Sequence, residues 1–113
     1  LYNWFDPVFL KLISDVVSQA IAEDKPVSLC GEMGSSPRCL PLLLGMGLTQ
    51  ISLNATSIPI IRKMIYNTSI EESKKILAKA IDMESAEEVE NYMAYVLKTH
   101  YSFAGFLDIY SKY

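Results

Sequence analysis

Cys30 and Glu32 are the residues whose types and spacing could do chemistry. Only Gly31 separates them, and they follow a short apolar segment that starts at Val27 and precede Ser36-Pro37. An unperturbed thiol ionises at about 8.5, so it is mostly protonated at neutral pH and can donate a proton. A nearby carboxylate disfavours the thiolate and so keeps the proton on sulfur. The alternative interpretation is a buried structural cysteine, because free cysteine is among the most buried residue types.

Composition excludes several function classes. The 113 residues carry a net charge of −3, with ten basic residues scattered among thirteen acidic ones. No basic stripe exists to follow a phosphate backbone, so we expect no nucleic-acid partner. No apolar run reaches the ~18 residues that span a bilayer, and the start of the chain does not resemble a signal peptide, so we expect no membrane contact. Half the residues are apolar, which favours contact with further protein.

The spacing of the two cysteines bears on metal binding and on the cellular compartment. Cys30 and Cys39 form neither a CxxC motif nor a disulfide framework, and no histidine lies near them in sequence. This pattern excludes an ordinary zinc site and favours a reducing, cytoplasmic location. Cys39 falls among leucines, so we expect it in the core.

The first part of the chain alternates predicted helices with predicted strands. The predicted elements are a helix over 7–23, a strand over 27–30, a helix from 36–37 through 44, a strand over 50–53 and a helix beginning at 57. Such alternation is typical of parallel strands in an α/β fold. Two strands do not make a self-sufficient sheet, so we expect this segment to be part of a larger one.

The second part is predicted to be helical. Ser69 to Glu72 and Ser85 to Glu88 have the sequence of capping boxes, and each is followed by apolar residues at helical spacing. The last stretch, 100–113, holds five aromatic residues and is predicted to form a helix or a helical hairpin. We therefore divide the chain into residues 1–68 and a helical tail, 69–113.

Several motifs together resemble a known family. Cys30-Gly31-Glu32-Met33, Leu43-Leu44-Gly45-Met46-Gly47, Asn54-Ala55 and Ser57-Ile58-Pro59 are similar to the last two βα units of the phosphoenolpyruvate-binding barrel of phosphoenolpyruvate-protein phosphotransferase, enzyme I of the phosphotransferase system. The resemblance covers about residues 4–67. It implies an α/β fold, namely the C-terminal portion of a TIM-type (β/α)8 barrel with two parallel strands and flanking helices, followed by a helical tail. The Asn-Ala-Thr-Ser version after the second strand favours the nitrogen-branch paralogue over the sugar-uptake enzyme.

The resemblance also implies an activity and its residues. The phosphoryl group of phosphoenolpyruvate passes to a histidine on a swivelling domain and then to a histidine-containing phosphocarrier protein, and pyruvate is released. Cys30 is then the catalytic proton donor to the enolate, and Gly31, Glu32 and Asn54 bind substrate. Mg²⁺ is the implied cofactor of the intact enzyme, with no metal ligand in this chain, and the implied assembly is a homodimer. His100 matches no family position. Because the chain carries neither the family's metal ligands nor its phosphoryl-accepting histidine, we expect the chain alone to be inactive.

Departures from the family pattern leave alternatives open. Gly34-Ser35-Ser36 replaces the usual Ala-Gly-Asp, and the aromatic tail matches nothing in the family. One alternative is a degenerate barrel that acts as a regulatory or interaction module. Another is a fragment of a pyruvate phosphate dikinase or a phosphoenolpyruvate synthase. Asn54 could equally face the substrate or only turn the chain, and Arg38 and Arg62 are predicted to be solvated.

Overall fold

Helices are the only regular secondary structure in the ranges that the structure describes, apart from a single bridge residue, Ile51. The computed structural model describes residues 3–28 and 36–101. Its elements in this part are α1 (Pro7–Ala22), α2 (Leu40–Met46), a 3-10 turn over Ala55–Ser57, α3 (Ile58–Tyr66), α4 (Ile70–Ile81) and α5 (Ala86–His100). None of the helices in the described ranges is both long and apolar enough to cross a membrane.

The predicted α/β barrel fragment is wrong. Residues 50–53 were expected to form a strand, but only Ile51 makes a single bridge there, and Val27 and Ser28 are not in a strand either. Within 3–28 and 36–101 there is no strand at all. Leu29 and Cys30, the rest of the first predicted strand, lie outside the described residues. A strand satisfies its backbone groups through a neighbouring strand, and the described ranges provide none. Ile51 and Leu53 instead pack, partly buried, against the helical core.

Helix α1 begins as the sequence predicts. Asp6 is the N-cap, and its Oδ1 accepts a hydrogen bond of 2.9 Å from the backbone N–H of Val8. Pro7 occupies the first helical position, where its missing N–H costs nothing. The helix ends one residue earlier than predicted, and Asp24 takes a left-handed backbone with φ of 55° that turns the chain away. Leu10 and Val17 are fully or almost fully buried, whereas Leu12 and Val16 are more than half exposed.

Helix α2 forms the centre of the core. Six of its seven residues are buried, as expected for a helix that is apolar on every side. It begins at Leu40 rather than at Ser36-Pro37, because residues 37–39 form a tight turn in which the Cys39 N–H donates to the Ser36 carbonyl. It also continues through Gly45 and ends at Gly47, whose φ of 93° is the left-handed conformation typical of a helix C-terminus.

Helices α3, α4 and α5 complete the core around α2. They begin and end close to the predicted positions, and each buries one apolar stripe. The buried residues of these stripes are Ile60, Ile61 and Met64 in α3, Ile76, Leu77 and Ala80 in α4, and Val89, Met93, Val96 and Leu97 in α5. Helix α4 crosses α2 at Gly45, where the two backbones come into contact.

Candidate functional site

The residues predicted to do chemistry fall mostly outside the described ranges. Cys30, Gly31 and Glu32 lie in 29–35, between the two described segments. The catalytic and substrate-binding roles assigned to them therefore stay predictions. Asn54 is the one predicted site residue that the structure places.

Asn54 organises the turn that leads into α3. Its side-chain Oδ1 accepts hydrogen bonds from the Ser57 N–H at 3.1 Å, the Ser57 hydroxyl at 2.7 Å and the Thr56 hydroxyl at 2.9 Å. Such bonding is typical of asparagine before a helix, because its short side chain satisfies N–H groups that have no partner within the helix. These bonds account for the turn. Substrate binding by Asn54, which is exposed, stays a prediction.

Cys39 is a core residue, as the sequence predicts. Its side chain is 0% exposed, and it lies directly before α2. Burial raises the pKa of the Cys39 thiol from its ordinary 9.0 to about 11, against smaller lowering effects of a hydrogen bond with Ser36 and of the Arg38 charge. At neutral pH Cys39 is therefore a neutral thiol, which is a poor nucleophile.

Arg38 connects the turn before α2 to the tail. Its Nη1 donates a hydrogen bond of 3.0 Å to Oε1 of Glu90 in α5. The sequence predicts a solvated Arg38, but this side chain and that of Glu90 are only partly exposed. No local pattern could reveal this pair, because its members lie on segments far apart in sequence. The contact fixes the chain immediately after residues 29–35 against α5.

A second polar cluster lies where the start of α4 meets the end of α5. Glu72 Oε1 and His100 Nδ1 are 2.8 Å apart, which makes an ion pair when the imidazole is protonated. Beside them the hydroxyls of Thr68 and Tyr101 are 2.5 Å apart. Burial raises the pKa of Tyr101, the bond with Thr68 lowers it, and the Glu72 charge raises it.

Sequence reasoning missed this cluster. Ser69 does cap α4, with its hydroxyl accepting from the Glu72 N–H at 3.4 Å. The capping box also predicts that the Glu72 carboxylate reaches back to the N-cap, and it does not predict the bond to His100. The position of His100 in the last turn of a helix was visible in the sequence, but its partner was not.

The described residues do not form a metal centre. Within 3–28 and 36–101 no group of three or more His, Cys, Asp or Glu side chains is placed to hold a metal ion. The residues that the structure describes therefore do not provide a site for Mg²⁺.

The comparisons with known proteins identify the family. Residues 1–70 match the family model described as PEP-utilising enzyme, PEP-binding domain, where PEP is phosphoenolpyruvate. This match spans more than half of the chain, so the chain belongs to the PEP-utilising enzyme family. The resemblance drawn from the sequence motifs is confirmed.

The curated relatives that the chain resembles include phosphotransferases and a multiphosphoryl transfer protein. The chain is 38% identical over 91 residues to phosphoenolpyruvate-protein phosphotransferase of Buchnera aphidicola, and 37% identical over 89 residues to the protein of that name from Staphylococcus carnosus. It is 36% identical over 90 residues to multiphosphoryl transfer protein 1 of Escherichia coli K12. These alignments cover 79–80% of this chain but only 16%, 16% and 11% of the respective relatives. The chain thus spans a small part of the length of the proteins it matches.

Proposed function

We propose that the protein to which this chain contributes is a phosphoenolpyruvate-protein phosphotransferase. It transfers the phosphoryl group of phosphoenolpyruvate to a histidine on a swivelling domain, and from there to a histidine-containing phosphocarrier protein. The observation that carries this proposal is the family match over residues 1–70 together with 36–38% identity to phosphotransferases.

Cys30 is the proposed catalytic acid. When the phosphoryl group leaves, the P–O bond of phosphoenolpyruvate breaks and the enolate of pyruvate remains. The methylene carbon of the enolate takes the thiol proton, and the resulting thiolate regains a proton from water. A thiol suits this task because its pKa lies closer to neutrality than that of a hydroxyl.

Gly31, Glu32 and Asn54 are the proposed substrate-binding residues. Gly31 lets the backbone approach the ligand closely. In this proposal the Glu32 carboxylate disfavours the thiolate, so it raises the pKa of the Cys30 thiol and keeps the thiol protonated. Asn54 has the geometry of a turn residue, and in this proposal the turn also borders the substrate.

The chain by itself is proposed to be inactive. The described residues hold no metal centre, and the one histidine of the sequence, His100, bonds to Glu72. In this proposal the Mg²⁺ ligands and the phosphoryl-accepting histidine belong to other parts of the intact protein. Residues 1–68 form the phosphoenolpyruvate-binding part, and 69–113 form a helical tail.

Location and assembly complete the proposal. Two cysteines without a disulfide framework favour the cytoplasm. Helix α1 exposes Val8, Leu12 and Val16 at 78%, 58% and 52%, and these side chains recur every four residues on one face. An apolar stripe of this kind favours burial against protein, which supports the homodimer.

The experiment that tests the proposal uses the intact protein. It is incubated with Mg²⁺, phosphoenolpyruvate labelled with ³²P and a histidine-containing phosphocarrier. Two products are then measured: pyruvate, and protein-bound ³²P that is acid-labile and base-stable, which reports phosphohistidine. We expect pyruvate and phosphohistidine to form in equal amounts without nucleotide. Pyruvate formation that requires a nucleotide would instead identify a dikinase or a synthase, and no phosphoryl transfer under any of these conditions would favour a regulatory module. The 113-residue chain assayed in parallel should give no pyruvate.

A further inference from the structure

A small cavity lies between the start of α4 and the end of α5. Its volume is about 30 Å³, and it is lined by Thr68, Ser69, Glu72, Ser73, His100 and Tyr101 among others. The Glu72–His100 and Thr68–Tyr101 pairs belong to this lining. The cavity is thus bounded mainly by groups that form hydrogen bonds.

Ser73 is the unusual member of the lining. It is 0% exposed, and within the part of the chain that the structure describes its hydroxyl has no hydrogen-bond partner. A buried hydroxyl without a partner is costly, so such groups are usually satisfied by protein or by an ordered water. Ser73 is also one of the residues that line this polar cavity, and the combination indicates that the cavity holds a ligand.

The size of the cavity limits what that ligand is. A buried water needs about 10–15 Å³ and two to four polar partners. About 30 Å³ admits one or two waters and no organic molecule of biological size. The hydroxyls of Ser73 and Tyr101 can each donate or accept a hydrogen bond. Water, a neutral molecule that also donates and accepts hydrogen bonds, suits such a lining.

We propose that this cavity is the site of an ordered water that bridges the Ser73 hydroxyl in α4 to the hydroxyl pair formed by Thr68, just before α4, and Tyr101, at the end of α5. The water satisfies the buried Ser73 hydroxyl, and it joins Tyr101 to α4, the helix that crosses α2. The Glu72–His100 pair belongs to the lining of the same cavity. Part of the attachment of α5 therefore depends on a solvent molecule.

Crystallography of the full chain tests the site directly. At a resolution that shows ordered water, we expect density within hydrogen-bond distance of Ser73 Oγ, and we expect S73A crystals to lose it. The matched control is T99A, which removes a hydroxyl from the exposed side of α5 and should leave the density in place. Absence of the density from the unsubstituted protein, or its persistence in S73A, would overturn the proposal. A direct bond from Ser73 Oγ to another protein atom would do the same.

A double-mutant cycle tests the bridge in solution. The unfolding equilibrium constant is measured for S73A, Y101F and the double variant. A shared water couples the two hydroxyls, so the combined effect should differ from the product of the single effects by at least about threefold. T99A combined with Y101F is the control and should be multiplicative. Multiplicative effects for S73A and Y101F would contradict the bridge.

Discussion

Gly45 of α2 and Ser73 of α4 face each other across a helix crossing so tight that a Cβ on Gly45 would lie 2.5 Å from the Ser73 carbonyl oxygen. The same atom would lie 2.9 Å from the Ser73 carbonyl carbon and 3.1 Å from Leu77 Cβ. Two of these three neighbours are backbone atoms, which cannot move aside as a flexible side chain can. The crossing therefore requires glycine, although glycine is a poor residue for a helix interior.

The first prediction follows from this crossing. G45A should destabilise the chain by about 1–3 kcal/mol, because the helices must separate to admit the methyl group. The opposing gain in helix propensity is about 1 kcal/mol, and it lowers the net loss without reversing it. Urea denaturation followed by circular dichroism measures the effect. Q19A, at an exposed position of α1, is the control and should change stability by less than about 0.5 kcal/mol; a G45A chain as stable as the original would contradict the tight crossing.

The second prediction concerns alkaline pH. The pKa of Cys39 is about 11 in the folded chain against 9.0 ordinarily. Above pH 9 the unfolded chain therefore binds fewer protons than the folded one, and stability falls as pH rises. The contribution of the protonated Cys39 thiol to the free energy of unfolding is fully present below pH 9 and is lost between about pH 9 and 11. The total loss of stability is about 2–3 kcal/mol.

The test compares the pH profile of the free energy of unfolding for the original chain and C39A. Subtracting the two profiles removes the tyrosine titrations that occur in the same range. The difference in free energy of unfolding, original chain minus C39A, should not change with pH below 9 and should decrease as the pH rises above 9. A difference that does not vary up to pH 11 would show that the thiol is not desolvated as described.

The third prediction concerns the Arg38–Glu90 pair. Because both side chains are more than a third exposed, water screens the pair, and its coupling should be at most about 1 kcal/mol. A cycle of R38Q, E90Q and the double variant measures the coupling. It should weaken in 1 M salt, where the screening length is about 3 Å. A coupling that is zero at low salt would mean that the pair does not tie the chain after residue 35 to α5.

The fourth prediction addresses the proposed catalytic acid. In the intact protein, C30A should slow pyruvate formation by at least about 10²-fold, because general acid catalysis typically contributes that much. Binding of phosphoenolpyruvate, measured by calorimetry, should change little. C39A is the matched control, since it removes a thiol that is buried and neutral. Equal losses of binding and turnover in C30A would indicate a structural cysteine.

The fifth prediction tests the proposed self-association. L12E places a charge in the middle of the exposed apolar stripe of α1. We expect sedimentation velocity to show a shift from dimer to monomer, because burying an unpaired carboxylate in an interface is unfavourable. Q19E, which also adds a charge to an exposed position of α1, should leave the dimer intact. A monomer in the absence of any substitution would contradict the homodimer.

Local sequence patterns predicted the helices well. Asp6-Pro7, Ser57 with Pro59, Ser69 and Ser85 mark helix starts that the structure reproduces within a residue or two. The reason is that a helix satisfies its backbone hydrogen bonds within itself, so its limits depend on nearby capping residues. The start of α2 was missed because residues 37–39 form a separate turn before the helix.

The strands and the polar pairs could not be predicted in the same way. A strand depends on a partner that the strand itself does not contain, so residues 50–53 were compatible with a sheet that the described ranges do not form. Likewise, Arg38 and His100 gave no local indication of their partners, Glu90 and Glu72. The catalytic assignment of Cys30 came from family motifs alone, and that residue lies outside the described ranges.

By itself the sequence determined the family, the capped helices and the burial of Cys39, because motifs, caps and apolar spacing act over a few neighbouring residues. Only the tertiary structure decided that helices without a sheet make up the described core. It alone showed that Gly45 serves a helix crossing, and that α5 is held by Arg38–Glu90, by Glu72–His100 and by Thr68–Tyr101. Those features depend on which distant segments pack together, and packing is a property of the whole core that no local stretch of residues specifies.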